Sequence, residues 1–278
     1  MGRSSLATYY DGLTRWTGLA RIVGYGGGYD TLTVHRALSD PTDGGRPTVT
    51  RIHDLLNEHL PAQQNARMLD AGCGLGGTLL TLVAARGGSG VGLTLSDRQA
   101  AVARHAASKL GLADRVTIEV RSYDQPPAGP FDLVVAIESL AHSPDPAISV
   151  AAITRVLAPG GVLAVVDDMP LPVSGAHAAT LETFKAGWAC PVLWPVDRYR
   201  EAFRDSGLAL RTDLDLSASI QPRGAAAIGW LGALNWLAGV VPSRQWRQLM
   251  ASYRGGLALE RLYLSLIHIS EPTRRRGI

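Results

Sequence analysis

Residues 67–86, RMLDAGCGLGGTLLTLVAAR, constrain this chain more than any other stretch. RMLDAG over 67–72 reads as a short buried strand, and Leu75 to Arg86 as a helix. Between them lie Gly72, Gly74, Gly76 and Gly77, where the backbone can turn tightly and a ligand can approach main-chain atoms without a Cβ in the way. The same rhythm continues downstream. GVGLTLS (90–96), VTIEVRS (116–122), PFDLVVAIES (130–139) and GVLAVVDD (161–168) read as strands. Asp97 to Leu110 and Pro146 to Leu157 read as helices, closed by Gly111 and by Pro159-Gly160-Gly161. Strands alternating with helices, and rich in Val, Leu and Ile, predict an α/β fold: a Rossmann-like, doubly wound, mostly parallel sheet covered on both faces.

Helical material is expected on either side of this core. Leu6, Tyr9, Tyr10, Leu13 and Trp16 share a helical face, GYGGGYD (24–30) reads as a hinge, and a second helix covers 47–60, ending at Pro61. After Pro172 the spacing turns helical again over 175–190, 196–206 and 218–262, interrupted by the period-two segment LALRTDLDLS (208–217). The expected organisation is an N-terminal cap (1–61), a ligand-binding core (62–172), a helical lid with a late strand (173–263) and a tail (264–278).

The charge excludes some partners. Net charge is +3, and +2 of it comes from Arg274, Arg275 and Arg276 set against Glu271 in the tail. No basic face of the kind that holds nucleic acid is visible elsewhere. Two cysteines, Cys73 and Cys190, make no disulfide framework, and the first sixteen residues have no signal-peptide core, so a cytoplasmic location is expected. Residues 224–241, GAAAIGWLGALNWLAGVV, reach spanning length, but their glycines dilute the hydrophobicity. They read as a helix buried over a pocket or in an interface, with peripheral lipid contact the alternative and no transmembrane segment expected. His35, His53, His59, His105 and His177 form no metal-ligand spacing, so no metal is expected.

Gly72, Gly74 and Gly77 satisfy GxGxxG, a weak dinucleotide signal. A dinucleotide enzyme places an acid at the tip of the second strand; here the tip is Leu93-Thr94-Leu95-Ser96 and Asp97 reads as a helix start. The spacing Asp70-x-Gly72-x-Gly74-x-Gly76, together with Leu157-Ala-Pro-Gly-Gly161 before a strand, resembles the class I S-adenosylmethionine-dependent methyltransferases. Gly92-Leu-Thr94-Leu-Ser96-x-x-Gln99 is similar to a segment of their sterol, tocopherol and cyclopropane-fatty-acid branch, and Glu138-Ser139-Leu-Ala-His142 resembles a run in its tocopherol and sterol members. The resemblance covers about Asp70 to Asp168.

It implies S-adenosylmethionine as cofactor, held by Asp70, Gly72, Cys73, Gly74 and Gly76 at the glycine loop, with Ile137 at the fourth strand's end. Thr94 and Gln99 take the ribose and methionine end, beside plain helix capping by Ser96. Tyr123 and Asp124 clamp adenine, or form a polar turn before Pro126-Pro127. The implied activity is in-line methyl transfer to a small, hydrophobic metabolite, with O-, N- and C-acceptors all open. A nicotinamide oxidoreductase and a non-catalytic cofactor-binding protein are the alternatives.

Three residues are candidates for catalysis. His142 is the candidate base, because an imidazole titrates near neutrality, or it fixes the loop before Pro144. Asp167 is a second base, a holder of His142, or a strand-end cap. Glu138 serves the acceptor, a carbocation or the cofactor's amino group. Trp188, Trp194, Trp230, Trp236 and Phe184 form core or an apolar pocket wall.

LSLIHISEPTR (264–274) matches the translation of a common transposase-type sequencing-library adapter, and the natural sequence is expected to end near Tyr263. The resemblance implies a terminal strand inserted antiparallel between the fifth and sixth, where the β-branched alternation of LSLIHIS would act as a substitute. The chain as written is expected to melt below one carrying the family's own terminal strand. Side-by-side thermal unfolding checks this, and equal melting temperatures would refute it.

Overall fold

The computed structural model describes residues 6–14, 31–40, 45–238, 243–266 and 274–277. Helix α1 spans 6–14. Then follow α2 (Arg51–His59), β1 (Arg67–Ala71), α3 (Gly77–Arg86), β2 (Ser89–Thr94), α4 (Asp97–Lys109), β3 (Val116–Val120), β4 (Phe131–Ile137), α5 (Pro146–Thr154) and β5 (Leu157–Met169). The last third holds α6 (Gly175–Trp188), α7 (Val196–Asp205), β6 (Leu214–Asp215), α8 (Ala225–Ala238), α9 (Arg244–Leu266) and β7 (Arg274–Gly277). The glycine-rich segment 24–30 and Trp16 lie outside the described residues.

One seven-stranded sheet runs in the order β3-β2-β1-β4-β5-β7-β6. β1 to β5 pair in parallel, and β7 pairs antiparallel with both β5 and β6. Alternation along the strands divides the core between the two faces. Met68, Leu133, Val135 and Ala164 face a layer that includes Leu56, Leu79 and Ala103 of α2, α3 and α4. Leu69, Val134, Ala136 and Val165 face Val150, Ile153, Tyr199 and Phe203 of α5 and α7. A third cluster joins α6 to α9 through Phe184, Leu259, Leu262 and Tyr263. Those two helices cross at Gly187 and Gly255, where a Cβ on Gly187 would lie 2.8 Å from the Gly255 Cα.

Several elements differ from the sequence expectation: α5 ends at Thr154 and not Leu157, and the helical stretch 218–262 divides into α8 and α9. Leu157-Ala-Pro-Gly-Gly161 is not a turn before the fifth strand but part of it. Phe131 pairs with Leu157 and Leu133 with Val162, so the extra residues bulge out of β5. Of the alternating segment 208–217, only Leu214 and Asp215 form ladder pairs among the described residues, with Gly277 and Arg276, before the chain turns into the 3₁₀ segment Ser217–Ser219. The slot beside β5 holds Arg274–Gly277 opposite Val166–Met169. Residues 264–266 instead continue α9 and 267–273 lie outside the described residues.

Phe131 has no exposed surface, and the Arg67 guanidinium lies 4.3 Å from its ring centroid. Phe131→Ala is therefore expected to cost about 3–5 kcal/mol, read as a fall in the urea midpoint with unchanged slope.

Candidate active site

The carboxyl ends of β1, β2, β4 and β5 open into one cavity. Open parallel sheets bind ligands at this edge because neighbouring connections diverge there. Each strand supplies a side chain at its tip. Asp70 comes from β1, Thr94 from β2, Ile137 from β4, Glu138 just beyond it, and Asp167 and Asp168 from β5.

Asp70 is 3% exposed, and its Oδ2 has no hydrogen-bond partner among the described residues. Burial pushes its carboxyl up to about 7, against an opposing hydrogen bond from the Leu79 backbone. A buried acceptor aimed at a cavity and left unmatched is suited to an ammonium or hydroxyl group on a ligand. Gly72 follows, with φ of +111°, and a Cβ there would fall 2.5 Å from the Ser139 Cβ. The Gly72 and Cys73 amides both donate to Leu93 O, at 3.1 and 2.8 Å, tying the loop to the end of β2. Cys73, Gly74 and Gly77 also line the cavity. Gly76 does not; it is the left-handed N-cap of α3, and a Cβ there would meet the Ala103 Cβ at 3.0 Å.

The Thr94 hydroxyl donates to Gln99 Oε1 at 2.8 Å, and both side chains are buried at the cavity wall. Ser96 caps α4 by accepting from the Gln99 amide at 3.1 Å, so capping and cavity lining coexist. Tyr123 lines the cavity, with its hydroxyl donating to Ser139 O at 3.0 Å. Asp124 lies outside the lining and accepts from the Ser149 and Ser122 hydroxyls, at 2.6 and 3.0 Å.

The three candidate catalytic residues share this cavity. Glu138 has φ of +47°, a left-handed conformation disfavoured for a side chain of its kind, and its Oε1 accepts from the Arg36 amide at 2.9 Å. Asp167 is 1% exposed and accepts from the Ala141 amide at 3.0 Å and the Asp168 amide at 2.9 Å. Burial, with Asp168 adding to it, pushes its carboxyl up to about 7. His142 does not hydrogen-bond to Asp167. Its Nδ1 faces the Ala189 carbonyl at 3.3 Å, and burial pushes the imidazole down to about 4. Tyr10 meets the imidazole edge-on at 5.4 Å, and Cys190 Sγ stands 3.9 Å from Nδ1.

Residues 69–165 match the family described as "Methyltransferase domain". These residues are a methyltransferase domain. Among its relatives, the 27-O-demethylrifamycin SV methyltransferase of Amycolatopsis mediterranei is 32% identical over 176 residues, 62% of this chain and 65% of that protein. The chloroplastic tocopherol O-methyltransferase of Arabidopsis thaliana is 40% identical over 102 residues, 36% of this chain and 29% of that one. The chain thus spans less than two thirds of the length of these relatives. Among solved structures, the [4+2]-cyclase SpnF aligns with a TM-score of 0.72 at 21% identity, over 98% of this chain and 92% of that one. A geranyl diphosphate methyltransferase in complex with GPP and sinefungin aligns at 0.68 and 20%, over 99% and 96%. Both share the fold.

The methyltransferase core is roofed by segments that sequence reasoning did not assign to the cavity. Residues 31–36 cross it: Leu32 O accepts from the Gly77 amide at 2.9 Å, and Arg36 Nη2 donates to Asp168 Oδ2 at 2.5 Å. Helix α1 closes the other side, with the Tyr9 hydroxyl 2.9 Å from both Gly187 O and Ser252 Oγ. Phe184 and Trp188 of α6, and Cys190 just after it, line another wall. Trp194 is core, and Trp230 and Trp236 are exposed. No local pattern marks residues 31–36, because their placement depends on a tertiary crossing.

The Asp70 carboxyl titrates higher in the folded state than its ordinary value near 3.9. The folded state therefore binds that proton more tightly, and stability is lost as pH rises from about 4 through about 7. Asp70→Asn is expected to stabilise the ligand-free protein by on the order of 1–3 kcal/mol at pH 8, with the gain fading towards pH 4. Thermal melts of both proteins across that range check it.

Proposed function

We propose that this chain transfers a methyl group from S-adenosylmethionine to a small apolar acceptor. The single observation that carries the reading is Asp70, a buried carboxyl at the tip of β1 with one oxygen unmatched among the described residues, next to a glycine loop that leaves main-chain atoms open to a ligand. Asp70 and the loop of Gly72, Cys73 and Gly74 would hold the methionine end. Thr94 and Gln99 would take the ribose, with Tyr123 and Ile137 against adenine. The tip of β2 supports this over a nicotinamide, since Thr94 and Gln99 line the cavity there and Asp97 is exposed at the start of α4. Bound there, the cofactor supplies a methyl group that needs no further activation.

The chain's own work is alignment, exclusion of water and removal of a proton. Alignment is worth roughly 7–11 kcal/mol in favourable cases, and the roof of α1 and residues 31–36 supplies both alignment and dryness. His142 is the proton acceptor. A carbonyl cannot donate, so Nδ1 facing Ala189 O carries the hydrogen and Nε2 keeps its lone pair. Burial keeps the imidazole neutral, which leaves that lone pair free but weakly basic, so it takes the proton only as the acceptor gains its methyl group. Asp167 orders the loop at Ala141, and Glu138 fixes the roof through the Arg36 amide. Leu6, Leu13, Phe184, Trp188 and Leu249 line the remaining wall and favour a hydrophobic acceptor.

His142→Ala is expected to keep affinity for S-adenosylmethionine within a few-fold and to lower turnover about 10²–10⁴-fold; unchanged turnover would remove His142 from this role. Gly72→Val, which forces a side chain onto Ser139, is expected to abolish cofactor binding by calorimetry. Titration with S-adenosylmethionine and with NADH separates this reading from an oxidoreductase. Incubating cell extracts with enzyme and methyl-labelled cofactor, followed by mass spectrometry, separates it from a non-catalytic binding protein. Labelled product identifies the acceptor, and its absence across extracts would overturn the proposal.

A further inference from the structure

Helix α8, AAAIGWLGALNWLA, contains no ionisable residue. A helix apolar on all sides is normally buried, and the sequence alone predicts as much. The structure leaves it half bare. Ile228 and Asn235 are its buried residues, on the face turned to α9 where the Asn235 amide donates to Met250 O at 3.0 Å. Trp230, Leu234 and Leu237 lie opposite that face and Trp236 on its flank beside α9, and they are 67%, 43%, 59% and 70% exposed. No helix among the described residues is long and apolar enough to cross a membrane.

A stripe of positive charge runs alongside. Arg247, Arg254 and Arg261 recur every seven residues on α9, which places them on one face, and all three are exposed. None of them pairs with a carboxylate among the described residues. Arg254 and Arg261 share a groove with Trp236, Gly229 and Gly232. The acidic residues of α6 and α9 are already matched: Glu260 to Arg223 at 2.6 Å and Glu182 to Lys185 at 2.7 Å.

We infer that the outer face of α8 docks on an anionic lipid surface. Tryptophan and leucine enter the boundary between headgroups and acyl chains, and flanking arginines meet lipid phosphates. A second copy of the chain fits this face less well. A twofold contact through α8 would bring two arginine stripes together with no carboxylate between them. The helix lies on the membrane and does not span it.

The test is co-sedimentation of the full chain with vesicles of phosphatidylcholine alone and of phosphatidylcholine mixed with phosphatidylglycerol. The expected result is binding to the mixed vesicles, weakened by salt, with a blue shift in tryptophan fluorescence. The double variant Trp230→Ser, Trp236→Ser is expected to lose at least about tenfold in vesicle affinity, as two aromatic anchors are removed. The pair Arg254→Gln, Arg261→Gln is expected to lose about thirtyfold and to flatten the salt dependence. All four side chains are exposed; because Arg254 also donates to Asn235 Oδ1 at 3.4 Å, the melting temperature of each variant is measured alongside, with little change expected. Equal affinity of the wild-type chain for the two vesicle types, or no affinity for either, overturns the inference. So does sedimentation showing a dimer that the tryptophan variant dissolves while vesicles have no effect.

Discussion

The site depends on one contact between central strands. β1 and β4 leave the sheet side by side, and the chain after β1 turns at Gly72 directly against Ser139, which follows β4. There is no room there for a side chain, and φ at Gly72 is positive, so glycine is demanded twice over. Because that turn is tight, Asp70 keeps its place at the cavity floor. Because Ser139 follows directly, the 3₁₀ turn Leu140–His142 starts at the same level. The glycine loop and the imidazole are therefore set by one packing event, and their relative position does not depend on the longer connections.

Electrostatics then divide the cavity. Two buried carboxyls, Asp70 and Asp167, are raised by the same cause, removal from water. They differ in what surrounds them. Asp167 accepts backbone amides at both oxygens, which makes it a structural fastener for the turn that carries His142. Asp70 keeps one oxygen without a partner among the described residues. In the free protein that oxygen is a source of instability, and a donor from a ligand would relieve it. Preorganised acceptors of this kind lower the reorganisation needed on binding. His142 is displaced in the opposite sense by the same dryness, so one physical cause sets three groups for different roles.

Much of this was legible in the sequence because it depends on local rules. The strand–glycine–helix run at 67–86 and the alternation after it specify the parallel sheet, and the glycines mark the loop that lines the cavity. The strand tips follow from the strands, so Asp70, Thr94, Ile137 and Asp167 could be placed before any coordinates. What could not be read depends on distant parts of the chain meeting. Arg36 reaches Asp168 across 132 residues and Tyr9 reaches Ser252 across 243. Ala189 presents its carbonyl to His142 from the left-handed C-cap of α6, a position no helical periodicity reveals. The bulge at 157–161 looked like a turn because proline and two glycines have the same signature in either setting. The α8 segment read as a helix buried over a pocket or in an interface because hydropathy reports preference for burial and not its fulfilment.

The crossing of α6 and α9 at Gly187 and Gly255 bears on how the acceptor side of such a cavity can diversify. With the two backbones touching, α6 has little freedom to tilt or slide unless α9 moves with it. Yet α6 brings Phe184, Trp188 and the Ala189 carbonyl, and α9 brings Leu249 and the anchor for Tyr9. The wall that would touch an acceptor is thus one rigid plate made of two remote stretches of sequence. A change of side-chain size on the outer surface of α9, far from any ligand, can shift that plate as a whole. Under the proposed function, selectivity for acceptors would then be adjustable from outside the cavity, while the glycine loop and strand tips stay as they are.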